Sequence, residues 1–475
     1  MGRRQQTGKG TIRALRRIGG ALMSVLLLAS CSTVPNTLDA PDIPDGSNVS
    51  VQEHAQMLRA FGGEYRSPAV RAMLERIVGR IIPATDRPGE GYRVTILKSP
   101  QINAFALPSH QLYVTRGLLA LANDSSEVAA VIAHEIAHVT LRHAAARTEL
   151  EARSALVSRV VSDVLQDKSG SSLYADQSRF SIARFSREQE FEADKTGIAT
   201  LAKAGYDPFG APRFLKSLDR TSGGRQSGTD MLSTHPSLKE RIKLTLAAAR
   251  VIGAPGLGRQ DRNEYLATLD GMEYGDSPDE GLVVGRRFIH TTLRFAFEAP
   301  PGFRLENTAR AVLGTSDGTG MRLMLDVVRG SADLQSILDN IWNDAIKPED
   351  FQSETVNGLA VLTARAQSPE WVFRLAAIRQ SGNVFRLIVA ARKQGSALDA
   401  VFRQMLNSVH TPTAEEGERV QPLKLRIVTA GTGESTASLA RRMASPPGPA
   451  YFSVLNGLEQ GQAPVAGQSY KIVVE

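Results

Sequence analysis

Apolar side chains recur through residues 125–140 in the pattern expected of an α-helix that is buried on most of its sides. The polar stretch before this run contains Asp124 and Glu127, which have the spacing of a helix-capping box. Two histidines and a glutamate lie inside the apolar run. Burying such ionisable groups is unfavourable unless they are paired or bind a metal, so the pattern predicts a site on this helix.

A second long helical pattern runs from about Gln177 to Ala204 and places Glu190 and Asp194 on one face. A third pattern, from Thr148 to Leu165, is interrupted by charged residues and predicts an amphipathic helix rather than a membrane span. Beyond Ala29, no apolar run in the sequence reaches the roughly 20 residues that a spanning helix needs.

The pattern changes after the first 252 residues. Residues 253–280 are rich in Gly, Asp and Pro and predict a linker, whereas 281–412 alternate like strands and include two helical stretches. Within that region the pattern predicts strands at 294–297, 322–328 and 384–389 and helices at 332–345 and 397–409. The pattern of residues 420–475 predicts a strand, two helices and a second strand, in that order. The fold class is therefore α+β with several domains: a mainly helical domain with a small β-sheet at 49–252, an α+β domain, and a small βααβ domain.

The histidines in the first helix, His134 and His138, are four residues apart and share one face. Their imidazole nitrogens can therefore both reach one metal ion, at about 2.0 to 2.1 Å. Glu135, beside the first histidine, can accept a proton from a metal-bound water. A chance match to this motif occurs on the order of once per hundred chains of this length, so the motif needs independent support.

Glu190 provides that support, because two histidines and one glutamate are a standard ligand set for catalytic zinc. Asp194, one turn later, can hold the Nδ1 proton of a ligating histidine. In isolation this acidic stretch would indicate a solvated helix face. Beside the histidine pair it predicts one Zn²⁺ per chain, held by His134, His138 and Glu190.

Counting residues excludes a metzincin site, whose glycine and third histidine would fall at Leu141 and Ala144. His143 is nine residues from His134, which on a continuing helix puts it about 180° away. We therefore expect His143 to be a structural or surface residue and not a ligand.

The residues above resemble metallopeptidase family 48, the group that includes HtpX, the CAAX prenyl endopeptidases and BepA-like proteases. The resemblance covers about residues 50–250. Its further landmarks are Asn103-Ala104-Phe105-Ala106-Leu107-Pro108, Tyr113-Val114-Thr115-Arg116-Gly117-Leu118-Leu119, Gly205-Tyr206-Asp207-Pro208, and Thr234-His235-Pro236 with Arg241. Ser109-His110 stands where the family usually has two glycines.

The resemblance implies a zinc metalloendopeptidase of the gluzincin type. His134, His138 and Glu190 would hold the zinc, and Glu135 would activate the water. An extended substrate would add as a strand near residues 103–115, which explains how one site accepts varied sequences. His235 would reach the open zinc position, where it either gates the site or stabilises the oxyanion; the alternative is a loop histidine that caps a helix.

The N-terminal 30 residues contain six basic residues, no acid and a short apolar run at 21–29. Cys31, the single cysteine of the chain, follows them. This is the pattern of a secretory signal peptide with a lipobox, so we expect Cys31 to be lipidated, an incidental cysteine being the alternative. Residues 31–48 predict an extended tether. By resemblance to bacterial lipoproteins, Ser32 favours the outer membrane and a periplasm-facing enzyme.

The net charge of +7 falls to about +1 without that segment, because 7 − 6 = 1. The chain is therefore not a nucleic-acid binder. The domain at 281–412 faintly resembles PsbP-like domains and carries no catalytic constellation; His290 and His410 are expected to be incidental. The domain at 420–475 resembles a LysM module, which implies glycan binding; a structural or protein-binding role is the alternative.

Taken together, these features predict a zinc endopeptidase of the bacterial envelope that degrades misfolded or misassembled envelope proteins. Polypeptides would be its substrates, and peptidoglycan or envelope assembly proteins are further candidate partners. The alternative is an envelope scaffold or chaperone-like adaptor with a largely shut protease site. A third reading, a peptidoglycan endopeptidase, rests on the LysM resemblance alone.

Overall fold

The computed structural model describes residues 47–143, 185–222, 231, 235, 238–316, 318–340, 347–392, 397–444 and 448–475. The predicted signal peptide, Cys31 and the predicted helix at 148–165 lie outside the described residues. Within the described part of the chain, no helix is both long and apolar enough to cross a membrane.

Eight helices and a small sheet form the first part of the described chain. The helices are α1 (Ser47–Ala60), α2 (Pro68–Ile81), α3 (Arg116–Leu121), α4 (Ser125–Thr140), α5 (Arg187–Lys203), α6 (Gly210–Ser222), α7 (Leu238–Ile252) and α8 (Arg262–Leu269). The strands are β1 (Arg93–Leu97), β2 (Ala104–Ala106) and β3 (Gln111–Thr115), in the order β1-β3-β2. Strand β2 pairs only with β3 among the described strands, so its other edge is open to a further strand. The turn from β2 to β3 contains His110 at φ 59°, a backbone conformation that favours glycine, where the resembled family has its glycine pair.

Helix α4 is the buried helix that the apolar pattern predicts, and its side chains from Ser125 to His138 are buried. Asp124 caps it by accepting hydrogen bonds from the backbone N–H groups of Ser126 and Glu127. Helix α5 packs closely against it, because a Cβ atom on Gly197 would lie only 3.1 Å from the backbone nitrogen of His134. This close approach brings the acidic face of α5 to the histidines of α4.

The region predicted to be a linker, 253–280, is partly folded into the first domain. Tyr265, Leu266 and Leu269 of α8 are fully buried in the same hydrophobic core as α2 and α4. A short strand, β4 (Glu273–Tyr274), follows α8. The local composition predicted a linker, but the apolar face of α8 is stabilised by burial against the helices before it.

The middle part of the chain is an antiparallel sheet of seven strands beside a sheet of three. The small sheet comprises β5 (Leu282–Val284), β6 (Arg287–His290) and β7 (Phe295–Glu298). The large one comprises β8 (Phe303–Asn307), β9 (Ala311–Ser316), β10 (Arg322–Arg329), β11 (Glu349–Val356), β12 (Leu359–Gln367), β13 (Trp371–Gln380) and β14 (Asn383–Arg392), in the order β11-β12-β13-β14-β10-β9-β8. Helices α9 (Leu334–Asp339) and α10 (Leu398–Ser408) accompany them. The strands predicted at 294–297, 322–328 and 384–389 are confirmed, whereas the described helix after residue 332 is shorter than predicted.

The C-terminal part has the predicted order of elements, preceded by α11 (Ala414–Arg419). It contains β15 (Leu423–Thr429), α12 (Thr436–Ala440), α13 (Pro449–Leu455) and β16 (Ser469–Val474). Strand β15 pairs with both β16 and β4, so the small C-terminal sheet is completed by a strand that follows α8. The chain is thus a mixed α+β protein whose C-terminal segment packs against the first domain.

Candidate metal centre

Four buried side chains from three segments converge at one point: His134 and His138 on α4, Glu190 on α5, and His235 just before α7. Each offers one ligand atom, and these four atoms all lie within 4.8 Å of one another. The structure therefore brings together the three predicted metal ligands. His235, for which the sequence left several roles open, lies beside them.

The spacing of the first three side chains fits a zinc ion. The Nε2 atoms of His134 and His138 are 3.0 Å apart, and they lie 3.6 and 3.5 Å from the carboxylate oxygens of Glu190. Ligands that hold zinc tetrahedrally at 2.0–2.1 Å are about 3.3 Å apart, close to all three distances. Two imidazole nitrogens in direct contact need a proton or a cation between them, and this donor set suits a metal cation.

Asp194 orients the first histidine. Its Oδ1 atom lies 3.0 Å from Nδ1 of His134, as predicted from its position one turn after Glu190. Arg241 of α7 in turn holds Asp194 with two hydrogen bonds of 2.7 Å and also contacts Glu190 at 2.6 Å. Burial alone would raise the pKa of Asp194, but the Arg241 guanidinium and the contact with His134 hold it well below its usual range. Asp194 is thus an anion that keeps the Nδ1 proton on His134 and leaves Nε2 for the metal.

The second histidine has a different partner, which the helical count did not anticipate. His143 is buried, and its Nδ1 atom lies 2.9 Å from Nδ1 of His138. Nε2 of His143 lies 3.4 Å from a carboxylate oxygen of Glu192 on α5. Phe185 stacks on the His138 ring at a centroid distance of 3.9 Å. Burial and the neighbouring cationic groups lower the pKa of His138, which keeps its imidazole neutral, as a metal ligand must be.

His235 lies beside the three predicted metal ligands. Its Nδ1 atom is 2.9 Å from Glu190 and 3.3 Å from Nε2 of His134, while its Nε2 is 3.6 Å from Glu135. It therefore lies at the position where a fourth ligand would complete the site. Burial alone would raise the pKa of Glu190, but the charges and hydrogen bonds of His235 and Arg241 outweigh it, so the pKa is lowered.

Glu135 is buried beside the ligand set without joining it. Its Oε1 atom has no hydrogen-bond partner within the described chain, while the backbone N–H of Ala106, on β2, is directed at the carboxylate. Burial raises the pKa of Glu135 to about 8, which His134 partly opposes. A carboxylate with one free oxygen, next to an open sheet edge, suits proton transfer at a bound peptide.

Sequence comparison supports this interpretation for part of the chain. Residues 68–248 match the profile described as Peptidase family M48. The mitochondrial metalloendopeptidase OMA1 of Arabidopsis thaliana is 38% identical over 164 residues, which are 34% of this chain and 33% of that protein. The beta-barrel assembly-enhancing protease of Escherichia coli K12 is 25% identical over 251 residues, covering 48% of this chain and 52% of that protein.

Among solved structures, cyanobacterial PsbP from Synechocystis is similar over 29% of this chain and 98% of its own, at 12% identity and a TM-score of 0.23. The chain spans a third to about half of the length of the relatives that it matches. The matched range nevertheless contains all four converging side chains, together with Glu135, Asp194 and Arg241. Residues 68–248, which hold these side chains, are therefore similar to peptidase family M48.

Proposed function

We propose that this protein is a zinc-dependent endopeptidase of the gluzincin type. The convergence of His134, His138 and Glu190 at tetrahedral spacing, with Glu135 beside them, is the observation that carries the proposal. The relatives include proteins named metalloendopeptidase and protease, which supports the same activity.

The buried residues divide the chemistry between them. When bound, zinc supplies a Lewis acid that polarises the scissile carbonyl and lowers the pKa of a coordinated water toward about 7. Glu135 accepts a proton from that water and delivers it to the leaving amine. Asp194 and His143 fix the rings of His134 and His138 through their Nδ1 atoms. A peptide added to the free edge of β2 would lie next to Glu135, because the Ala106 N–H is directed at that carboxylate.

The test is the variant Glu135→Gln, which keeps the shape of the side chain but removes its basicity. We expect bound zinc to stay at one ion per chain while cleavage of casein falls by at least about 10³-fold. The matched control is Glu188→Gln, a fully exposed carboxylate on α5, which should keep full activity. Wild-type cleavage by Glu135→Gln, or a wild-type protein without stoichiometric metal, would refute the proposal.

As to location and substrate, we propose an envelope lipoprotein, lipidated at Cys31 and facing the periplasm, that degrades misassembled envelope proteins. The lipobox pattern and the relatives named beta-barrel assembly-enhancing protease support this. Radiolabelled palmitate should be incorporated into the wild-type chain and not into Cys31→Ala. The PsbP-like and LysM-like character of residues 281–412 and 420–475 stays a prediction, and co-sedimentation with sacculi measures glycan binding by the latter.

A second candidate function is a scaffold or chaperone-like adaptor whose protease site is largely shut. The observation that favours it is His235, which lies within 2.9 Å of Glu190 at the position that a substrate or water would need. If His235 closes the site, His235→Ala should raise peptidase activity at unchanged zinc content; if it stabilises the oxyanion, activity should fall. A scaffold would retain its cellular phenotype in Glu135→Gln, whereas an enzyme would lose it.

A further inference from the structure

A cavity of about 460 Å³ lies where the end of α1 meets the middle sheets. Leu58 of α1 and Gly62 just after it line one side, and Val312, Leu325 and Phe385 line the other from β9, β10 and β14. These three sheet residues also belong to the hydrophobic core of the middle region, so the cavity opens onto apolar side chains. Its volume falls in the range of about 300–1,000 Å³ that is typical of small-molecule sites.

His290 contributes a polar group to the wall of this cavity. The side chain is 7% exposed, and its Nδ1 atom accepts a hydrogen bond from the backbone N–H of Leu293. Burial lowers the pKa of His290, which favours the neutral ring with its proton on Nε2. Nε2 has no partner among the described residues. The wall therefore presents an N–H group that can donate to a ligand in the cavity.

Three arginines line the mouth of the cavity from three different segments: Arg59 of α1, Arg310 of the β8–β9 turn, and Arg329 at the end of β10. All three are exposed, and none forms an ion pair with another described residue. By contrast, the lining acids Asp279 and Asp326 are each already paired, with Lys98 and Arg386 respectively.

The lining holds one further acid, Glu280, whose carboxylate packs over the backbone of Gly62. Burial raises the pKa of Glu280, which Lys98 and Arg116 partly oppose. The lining thus combines an apolar floor, a free N–H donor and an excess of unpaired guanidinium groups. Guanidinium groups bind carboxylate and phosphate groups through paired hydrogen bonds.

We propose that this cavity binds a single-chain anionic amphiphile, with its acyl chain on the apolar floor and its carboxylate or phosphate headgroup at Arg310, Arg329 and His290. Charge complementarity selects this occupant, because a carboxylate or phosphate forms paired, charge-assisted hydrogen bonds with guanidinium groups, which a neutral headgroup cannot do. The site lies outside the metal centre, and its occupancy does not depend on peptidase activity.

Binding is tested on the full chain by isothermal titration with dodecanoate and dodecyl phosphate, each below its micellar concentration. We expect saturable binding of one molecule per chain for both. Two further ligands separate the parts of the proposal. Inorganic phosphate tests the headgroup without a chain, and dodecanol tests the chain without a charge; both should bind at least about tenfold more weakly than dodecyl phosphate.

Variants locate the site. Arg310→Glu combined with Arg329→Glu should weaken dodecyl phosphate by more than about tenfold, and His290→Phe should weaken it by about three- to tenfold. Arg322→Glu is the matched control, because this exposed arginine lies on the same strand as Arg329 but does not line the cavity. It should bind as wild type does.

Val327→Trp fills the cavity from a partly buried position and should abolish binding without a change of charge. Circular dichroism and the unfolding midpoint establish that each variant is folded. The proposal is overturned by non-saturable binding, by equal binding of dodecanol or inorganic phosphate, or by folded Val327→Trp and double-arginine variants that bind like wild type.

Discussion

Lys471, on the last strand of the chain, provides a quantitative test of how the C-terminal segment is held. Its side chain is completely buried, and Nζ donates to the carbonyl oxygens of Ala120, Leu121 and Ala122 at 2.8, 3.1 and 2.7 Å. These carbonyls lie at the C-terminal end of α3, just before α4. Burial lowers the pKa of Lys471, whereas three converging carbonyl oxygens favour an ammonium with three N–H donors. We choose Lys471→Met, which keeps the length and apolar stem but removes the donors.

The magnitude follows from the acceptors that the change leaves behind. The carbonyl of Leu121 keeps a second hydrogen bond, from the side chain of Asn123. The carbonyls of Ala120 and Ala122 would lose the hydrogen bond that Lys471 donates to each of them. A buried acceptor without a donor costs about 1–3 kcal/mol, which gives roughly 2–6 kcal/mol for two. Removing a buried ammonium recovers part of its desolvation penalty. We therefore expect Lys471→Met to lower the free energy of unfolding by about 2–4 kcal/mol.

Urea unfolding followed by far-UV circular dichroism measures this difference, and hydrogen exchange of peptides covering α3 and α4 locates it. Lys424→Met is the control, because Lys424 is an exposed lysine on the neighbouring strand and its loss should change stability by less than about 0.5 kcal/mol. If Lys471→Met unfolds within 0.5 kcal/mol of Lys424→Met, the carbonyl contacts contribute nothing measurable. If it is more stable than wild type, the desolvation penalty exceeds the hydrogen bonds, and the reasoning is refuted with the opposite sign.

Three further predictions concern other buried groups. Asp276 accepts a hydrogen bond from the backbone N–H of Val283, and burial raises its pKa from 3.8 to about 6. The folded protein therefore binds this proton more tightly than the unfolded chain does. Ionisation of Asp276 destabilises the fold increasingly as the pH rises from about 4, and the effect is complete above about 6. Asp276→Asn should therefore stabilise the protein by about 1–3 kcal/mol at pH 8 and by almost nothing at pH 4, as measured from urea unfolding at both values; equal effects at the two pH values would contradict the assignment. His143→Phe keeps a ring but removes the acceptor for His138 Nδ1–H. Zinc affinity, measured against a chromophoric chelator, should therefore fall about 10- to 100-fold. A purely structural role of His143 would leave the zinc affinity of the folded variant unchanged. Gly117→Ala would place a Cβ atom 2.0 Å from the carbonyl oxygen of Pro100 and should lower the free energy of unfolding, measured by thermal unfolding, by roughly 3 kcal/mol or more. Gly79→Ala on α2 is the control. No atom lies within 4 Å of its Cβ position, so this change should be neutral or stabilising.

The core of the metal centre could be predicted from the sequence because it depends on local geometry. Two histidines four apart share a face on any helix, and Glu190 and Asp194 do the same on the next long helical pattern. The apolar run around His134 also predicted burial, which makes a metal the natural partner of these groups. The structure places all of these residues at one point.

His143 shows where this reasoning stops. Counted along a continuing helix, it would lie opposite His134. Helix α4 ends at Thr140 instead, and Arg142 takes a left-handed conformation with φ 57°, so the chain turns back and brings His143 to His138. The end of a helix depends on a turn and its tertiary contacts, which the spacing of histidines does not contain.

The stretch 253–280 fails as a linker for a related reason. Its Gly, Asp and Pro content indicated a boundary between domains, but Tyr265 of α8 is buried against the first domain and donates a hydrogen bond to the carbonyl of Leu119. Its β4 strand then pairs with β15, more than a hundred residues later. Composition describes local preference, whereas burial depends on which distant surface is available.

The sequence by itself determined the shared helix face of His134 and His138, that of Glu190 and Asp194, and the mixture of helical and strand regions, since each follows from a pattern within one element. Only the tertiary structure decided that His235 reaches Glu190, that Arg241 holds Asp194, and that Lys471 is buried at the end of α3. Those contacts join residues 45 to 351 positions apart, and they depend on burial of apolar surface, which holds the distant segments together.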